Sequence, residues 1–312
     1  MKYYVKWSVM ALACGCALAQ STTSTYTTDL NGRRVEAATV VSTDGERTDI
    51  TRNLNGREIP LEQTERHVLR KDASGSVTET IVRRYDRNGQ LVSTEKIVAE
   101  EQNRPGGSTS HSTTYRTDLN GRMQEAERKT VETLTQGAVT NTQTVIERPT
   151  IGGGLQTVEK RTAATQKTDD TSHTDETVYR RDGNGAYQVA ERTVADAKRS
   201  GNQTTETSAM YLPIANVSSL QLSRQQVTTT TTRPDGSETQ EVNYYLPSLP
   251  GVVRSSESSQ LSEQDTIQRR KQPDGSVVET ITARRADNNH PQQLGPPEQL
   301  SETICKGNCT AK

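Results

Sequence analysis

The chain has 312 residues, with 38 basic and 39 acidic side chains for a formal net charge of −1, and only 29% of its residues are hydrophobic and 4% aromatic. Balanced charge excludes the basic stripe with which nucleic-acid binders hold phosphates. A mean hydropathy of −0.84 and the absence of Phe exclude the thick two-sided core of an ordinary globular domain. Thr makes up about one residue in seven, and it is a strand former that needs little burial. The same low hydropathy fits a disordered secreted chain, which is the competing reading for everything below.

Residues 1–19 read as a secretory signal peptide. Lys2 and Lys6 form the positive region, Trp7 to Cys16 the apolar centre, and Ala17-Leu18-Ala19 the cleavage site before Gln20. The apolar run is shorter than the ~20 residues of a spanning helix, so it predicts export to the outside or the cell surface and no membrane span. Ala11-Leu12-Ala13-Cys14 also resembles a lipoprotein signal, with Cys14 or Cys16 as the alternative processing site.

From residue 20 to 287 the chain is punctuated by turns. One series runs through Asn55-Gly56, Asn88-Gly89, Asn120-Gly121, Gly152 to Gly154, Asn184-Gly185, Pro213 to Asn216 and Pro247 to Gly251. A second lies between its members: Asp44-Gly45, Ser74-Gly75, Pro105 to Gly107, Gly137, Asp169-Asp170, Gly201, Asp235-Gly236 and Asp274-Gly275. Asn-Gly and Asp-Gly tolerate the positive φ that tight hairpins require. Lys71 to Ala99, KDASGSVTETIVRRYDRNGQLVSTEKIVA, is the type unit: two runs alternating Thr, Glu, Arg and Lys with Val, Ile and Leu. The period is about 32 residues, in the range of internal repeats. SVTETIVRRYD from Ser76 parallels SVVETITARRAD from Ser276, and YTTDLNGRRVEA from Tyr26 parallels YRTDLNGRMQEA from Tyr115. The close turns at Asn31-Gly32, Asp44-Gly45 and Asn55-Gly56 mark a shorter first unit. Residues 288–312 read as a Pro-rich linker (NNHPQQLGPP) and a tail containing Cys.

These features predict an all-β fold: a long antiparallel meander of hairpin repeats forming a thin or single-layer sheet. A lipid-embedded barrel shares the alternation, but it requires an apolar outward face with aromatic girdles. Polar residues on both faces of most strands argue against it.

Tyr85-Asp86-Arg87-Asn88-Gly89-Gln90-Leu91 resembles the tyrosine-aspartate repeat of the Rhs and teneurin families, with looser forms at Tyr26 to Arg33, Tyr115 to Arg122 and Tyr179 to Tyr187. The resemblance implies surface β-hairpin repeats that wind into a shell or make adhesive contacts, and it implies no activity.

Candidate chemistry is sparse. Cys305 and Cys309 flank a Gly and form a disulfide candidate, with intermolecular bridging and metal or redox use as alternatives. His67, His111, His173 and His290 are far apart and read as exposed side chains. No Gly-x-Ser-x-Gly elbow accompanies the many Ser and Thr. Gly152 to Gly154 lacks the following helix of a phosphate loop, and the Asp-Gly carboxylates come singly where calcium takes several oxygen ligands. Asn202-Gln203-Thr204 and Asn216-Val217-Ser218 match the glycosylation pattern, as a Thr-rich chain does freely. Tyr211, Leu212, Tyr244, Tyr245 and Leu246 form the most apolar stretches and read as a local cluster or a partner-contact patch. The expectation is a non-enzymatic structural protein without cofactor, a scaffold, coat or filament subunit that self-associates through sheet edges. The alternative is an extracellular adhesin or a binding module for carbohydrate or protein.

Overall fold

A computed structural model of the protein describes residues 21–28, 33–43, 46–54, 56–118, 120–214, 219–247, 259–286 and 293–307. The expected signal peptide with Cys14 and Cys16 lies outside them, as do Asn31-Gly32, Asp44-Gly45, Asn55, Asn216-Val217-Ser218, His290 and Cys309.

The strands are β1 (Ser21–Thr28), β2 (Arg34–Thr43), β3 (Arg47–Leu54), β4 (Arg57–Asp72), β5 (Gly75–Tyr85), β6 (Leu91–Arg104), β7 (Gly107–Thr117), β8 (Met123–Gln136) and β9 (Val139–Pro149). The second half continues with β10 (Leu155–Lys167), β11 (Thr171–Arg181), β12 (Tyr187–Ser200), β13 (Gln203–Pro213), β14 (Leu220–Thr232), β15 (Glu238–Pro247), β16 (Ser259–Lys271), β17 (Val277–Arg285) and β18 (Glu298–Lys306). Each is antiparallel to its neighbours in sequence, so the hairpin meander holds. The short first unit is the β2–β3 hairpin. It ends above the lower end of the β4–β5 hairpin, whose strand β4 runs on past its last partner in β3, Glu65↔Arg47.

The sheet does not stay open. β1 pairs with β2 on one side and with β18 on the other, from Thr22↔Lys306 to Tyr26↔Glu302, and the 18 strands form one closed wall. This corrects the expectation of a thin sheet with edges for self-association: closure satisfies both edges within the chain. Polar faces do not oppose it, because closure is made by backbone hydrogen bonds. Glu298–Lys306, in the segment read as linker and tail, supplies the closing strand.

Paired residues followed once around the wall return displaced by about 20 residues. With 18 strands that shear gives a tilt of about 40° and a backbone radius of about 17 Å. Odd-numbered strands run from the lower rim, where β1 begins and β18 ends, to the upper rim; even-numbered strands run down. Near the upper rim every even-numbered strand carries one β-bulge, its extra residue being Ala37, Leu61, Val92, Ala126, Val158, Ala190, Ser223, Ser262 or Leu300. Bulges concentrate at barrel rims because they raise local twist and bend the wall.

The upper turns repeat one device. The Asp86 carboxylate accepts the backbone N–H of Asn88 and Gln90. Asp118 does so with Asn120 and Arg122, and Asp182 with Asn184 and Ala186. The glycine that follows, Gly89, Gly121 or Gly185, has φ near +80°, a conformation open to Gly at no steric cost. At the lower rim Asp235 and Asp274 each accept an N–H and a hydroxyl from Ser237 and Ser276, which holds both carboxyls below their ordinary range.

Candidate functional site

Alternation assigns each strand residue to one of two faces, and paired residues share a face. In most strands one set is the less exposed. In β10 Glu159, Arg161, Ala163 and Thr165 are buried or half-buried, while Lys160, Thr162 and Ala164 between them are exposed. Val82, Thr144, Val178, Val242, Ala283 and Cys305 belong to the same set by register and are buried. Side chains converge on the concave side of a cylinder, so this set lines the interior.

The inner wall is mostly polar. Thr133 with Thr142, and Thr165 with Thr174, form cross-strand hydroxyl contacts of 3.5 and 3.0 Å. Just below the bulges charged residues alternate by strand, Glu on descending strands and Arg on ascending ones. Glu62, Arg84, Glu95 and Arg116 run across β4 to β7, joined at 2.9, 4.0 and 2.7 Å. Glu127 and Arg148 are 3.0 Å apart across β8 and β9, and Glu159 and Arg180 2.8 Å across β10 and β11. Arg285 reaches Glu263 at 3.3 Å and Glu298 at 3.8 Å. Glu159 also takes Arg161 at 2.6 Å. The belt breaks at β13 to β15, where Arg224 and Tyr244 face inward, and at β1 to β3. Beside Tyr244, Asp265 has a buried carboxylate oxygen without a hydrogen-bond partner among the described residues.

The outer wall mixes Thr and Val with cross-strand ion pairs: Glu65–Arg83 at 3.0 Å, Asp175–Arg192 at 2.6 Å, His173–Asp196 at 2.7 Å, and Glu79–Lys96. His67 faces Glu79 in register and His111 faces Glu100, with the His111 ring 3.1 Å from the Thr130 hydroxyl. Along the upper rim the residue opposite the bulge is an outward tyrosine in six ascending strands: Tyr26, Tyr85, Tyr115, Tyr179, Tyr211 and Tyr245. Tyr187 joins the row, with the Lys160 ammonium 4.4 Å from its ring centroid, and Arg34 stacks 3.8 Å over Tyr26.

The expected contact residues therefore divide: Tyr211 and Tyr245 stand in the outward row, and Tyr244 faces in. Leu212 and Leu246, exposed side chains one residue further along, take the inward parity. Cys305 lies on the inner face at the β18 seam and is disulfide-bonded. Among the described residues no group of three His, Cys, Asp or Glu side chains could hold a metal. Sequence reasoning missed the belt, although its signal was present: Arg84, Arg116, Arg148 and Arg180 recur at the ~32-residue repeat, as do Glu95, Glu127, Glu159 and Glu191.

No protein-family model matches the sequence, and no curated protein matches it. Solved structures do match the fold. A doubly substituted porin from Rhodopseudomonas blastica aligns with a TM-score of 0.52 at 7% identity, over 93% of this chain and 98% of that one. A second such variant gives 0.52 at 8% identity, over 93% and 99%. The triple mutant gives 0.51 at 7%, over 93% and 98%. The Rhs/teneurin resemblance finds no support in these neighbours. With the closed wall, they also overturn the reading as a secreted scaffold, filament subunit or adhesin, its extracellular placement, and the exclusion of a membrane span. At this level of identity what is shared is the architecture, a closed antiparallel β-barrel.

Proposed function

We propose that the protein is a porin-like channel of an outer membrane, passing water-soluble solutes through its barrel. The observation that carries this reading is a closed wall of 18 strands whose inner face is mainly Ser, Thr and paired charge, with a few small apolar residues such as Val82 and Val178 among them. A barrel of that strand number is too wide for side chains to fill and leaves an aqueous passage. The outward tyrosine row supports a seat at a membrane interface, where an amphipathic ring has one apolar and one wet side. Most upper connections have five residues or more and most lower turns two or three, which matches an outside-facing upper rim and a lower rim toward the periplasm. The outer wall is more polar than lipid contact favours; pairing its charges across strands lowers the cost of placing it there.

Bilayer recording decides the matter. The chain from residue 20, refolded in detergent and added to a planar bilayer, is expected to give stepwise ohmic conductance and to remain with vesicles after an alkaline wash. A folded β-protein that stays in solution and opens no conductance overturns the proposal.

A further inference from the structure

The alternating belt is neutral in sum but not in presentation. In Arg84, Arg116 and Arg180 the guanidinium is tied to its glutamate through Nε, at 2.9, 2.7 and 2.8 Å. The Nη groups of Arg116 and Arg180 make no hydrogen bond to another described residue, and Arg84 Nη1 stands 4.0 Å from Glu95. The same asymmetry appears in exposure. The side chains of Arg116, Arg148 and Arg180 are 63, 59 and 57% exposed, whereas those of Glu95, Glu127 and Glu159 are 13, 27 and 12% exposed. Each pair therefore lies with its carboxylate against the wall and its guanidinium edge in lumen water. Successive arginines are two strands apart, roughly 10 Å along the hydrogen-bond direction. That interval is close to the ~8 Å Debye length at physiological salt, so the fields of neighbouring guanidinium groups overlap along the wall.

We infer that this row of guanidinium edges makes the passage selective for anionic solutes, with carboxylate or phosphate groups as the chemistry recognised. A guanidinium fork offers such groups paired N–H donors. The glutamates act as positioning residues: Glu95 and Glu159 hold Arg116 and Arg180 through Nε alone, and Glu127 holds Arg148 through Nε and Nη2, leaving Nη groups on the lumen side. The inference rests on the channel reading above, and in a passage this wide the preference is modest, about twofold to threefold at ~0.1 M salt.

Reversal potentials in a tenfold KCl gradient test it. The unmodified protein is expected to favour chloride. Arg84→Gln, Arg116→Gln, Arg148→Gln and Arg180→Gln combined should abolish or reverse that preference while conductance persists. Removing outward positive charge with Arg83→Gln, Arg128→Gln and Arg192→Gln should leave it. Should the fourfold variant not fold, Arg116→Gln and Glu95→Gln alone should shift the potential in opposite directions. Conductance with no anion preference, or with the same preference in belt and outward variants, overturns the inference and leaves the channel intact. No conductance from any folded form removes the channel reading, and the belt's role with it.

Discussion

At the scale of single residues, the wall tolerates side chains at some glycines and not at others. At Gly107, the first residue of β7, a Cβ would lie 2.0 Å from the Thr133 carbonyl oxygen, and at Gly75 it would lie 1.9 Å from that of Glu101. Both obstacles are backbone on the next strand, which a rotamer change cannot clear. At Gly152, in an upper turn, an added Cβ meets nothing within 4 Å, and φ is not positive. Gly107→Ala is therefore expected to cost ~2–3 kcal/mol, the scale of overpacking. Gly152→Ala should stay within ~0.5 kcal/mol, as surface changes do. Denaturant unfolding of the two variants side by side checks this, and equal midpoints would show that the hairpin start is looser than its backbone contacts imply.

At the scale of elements, the bulge is the device that joins two registers within one strand. Below Ala190, strand β12 pairs Glu191 with Val178; above it, Val189 pairs with Tyr179 and Tyr187 with Arg181. Because the extra residue takes up one step of the alternation, Glu191 faces in and Val189 faces out, each paired with its neighbour in β11. Deletion of Ala190 keeps these pairings and faces but removes the local twist and bend that the bulge puts into the wall below the Asp182 turn. The expected loss is ~1–3 kcal/mol, whereas Ala190→Ser, which keeps the count, should be near neutral. Thermal melts of the deletion and the substitution measure the difference. The same device hid the belt from a sequence reading. Glu125, Ala126 and Glu127 look like plain alternation, yet the bulge at Ala126 gives the chain two consecutive positions opposite one residue of β7.

At the scale of the molecule, the hairpins were legible and the closure was not. The Asp86-to-Gly89 turn and its successors, the ~32-residue period and the long antiparallel strands follow from local chemistry: Asx hydrogen bonds, glycine at positive φ, and β-branched alternation. The seam joins Thr22–Tyr26 to Glu302–Lys306 across nearly the whole chain, and no local pattern records it. The cue used against a barrel was the absence of an apolar face, since Thr stands inside at Thr144 and outside at Thr113 alike. Inside and outside are distinguished here by which carboxylates are crowded and which tyrosines follow the bulge line, and both depend on a register visible only once the strands are paired.

The seam also means that, around the cylinder, no hairpin is privileged. β1 and β18 hold each other as any neighbouring pair does, so the point where the polypeptide is interrupted is a matter of covalent bookkeeping rather than of architecture. A circular permutant that links residue 307 to residue 21 through a few glycines, and opens new termini within the Asp182–Gly185 turn, should refold to a barrel of unchanged hydrodynamic size. An interruption placed inside β11 should fail. Size-exclusion chromatography of the two permutants distinguishes a wall defined by its ring of pairings from one that depends on where translation begins.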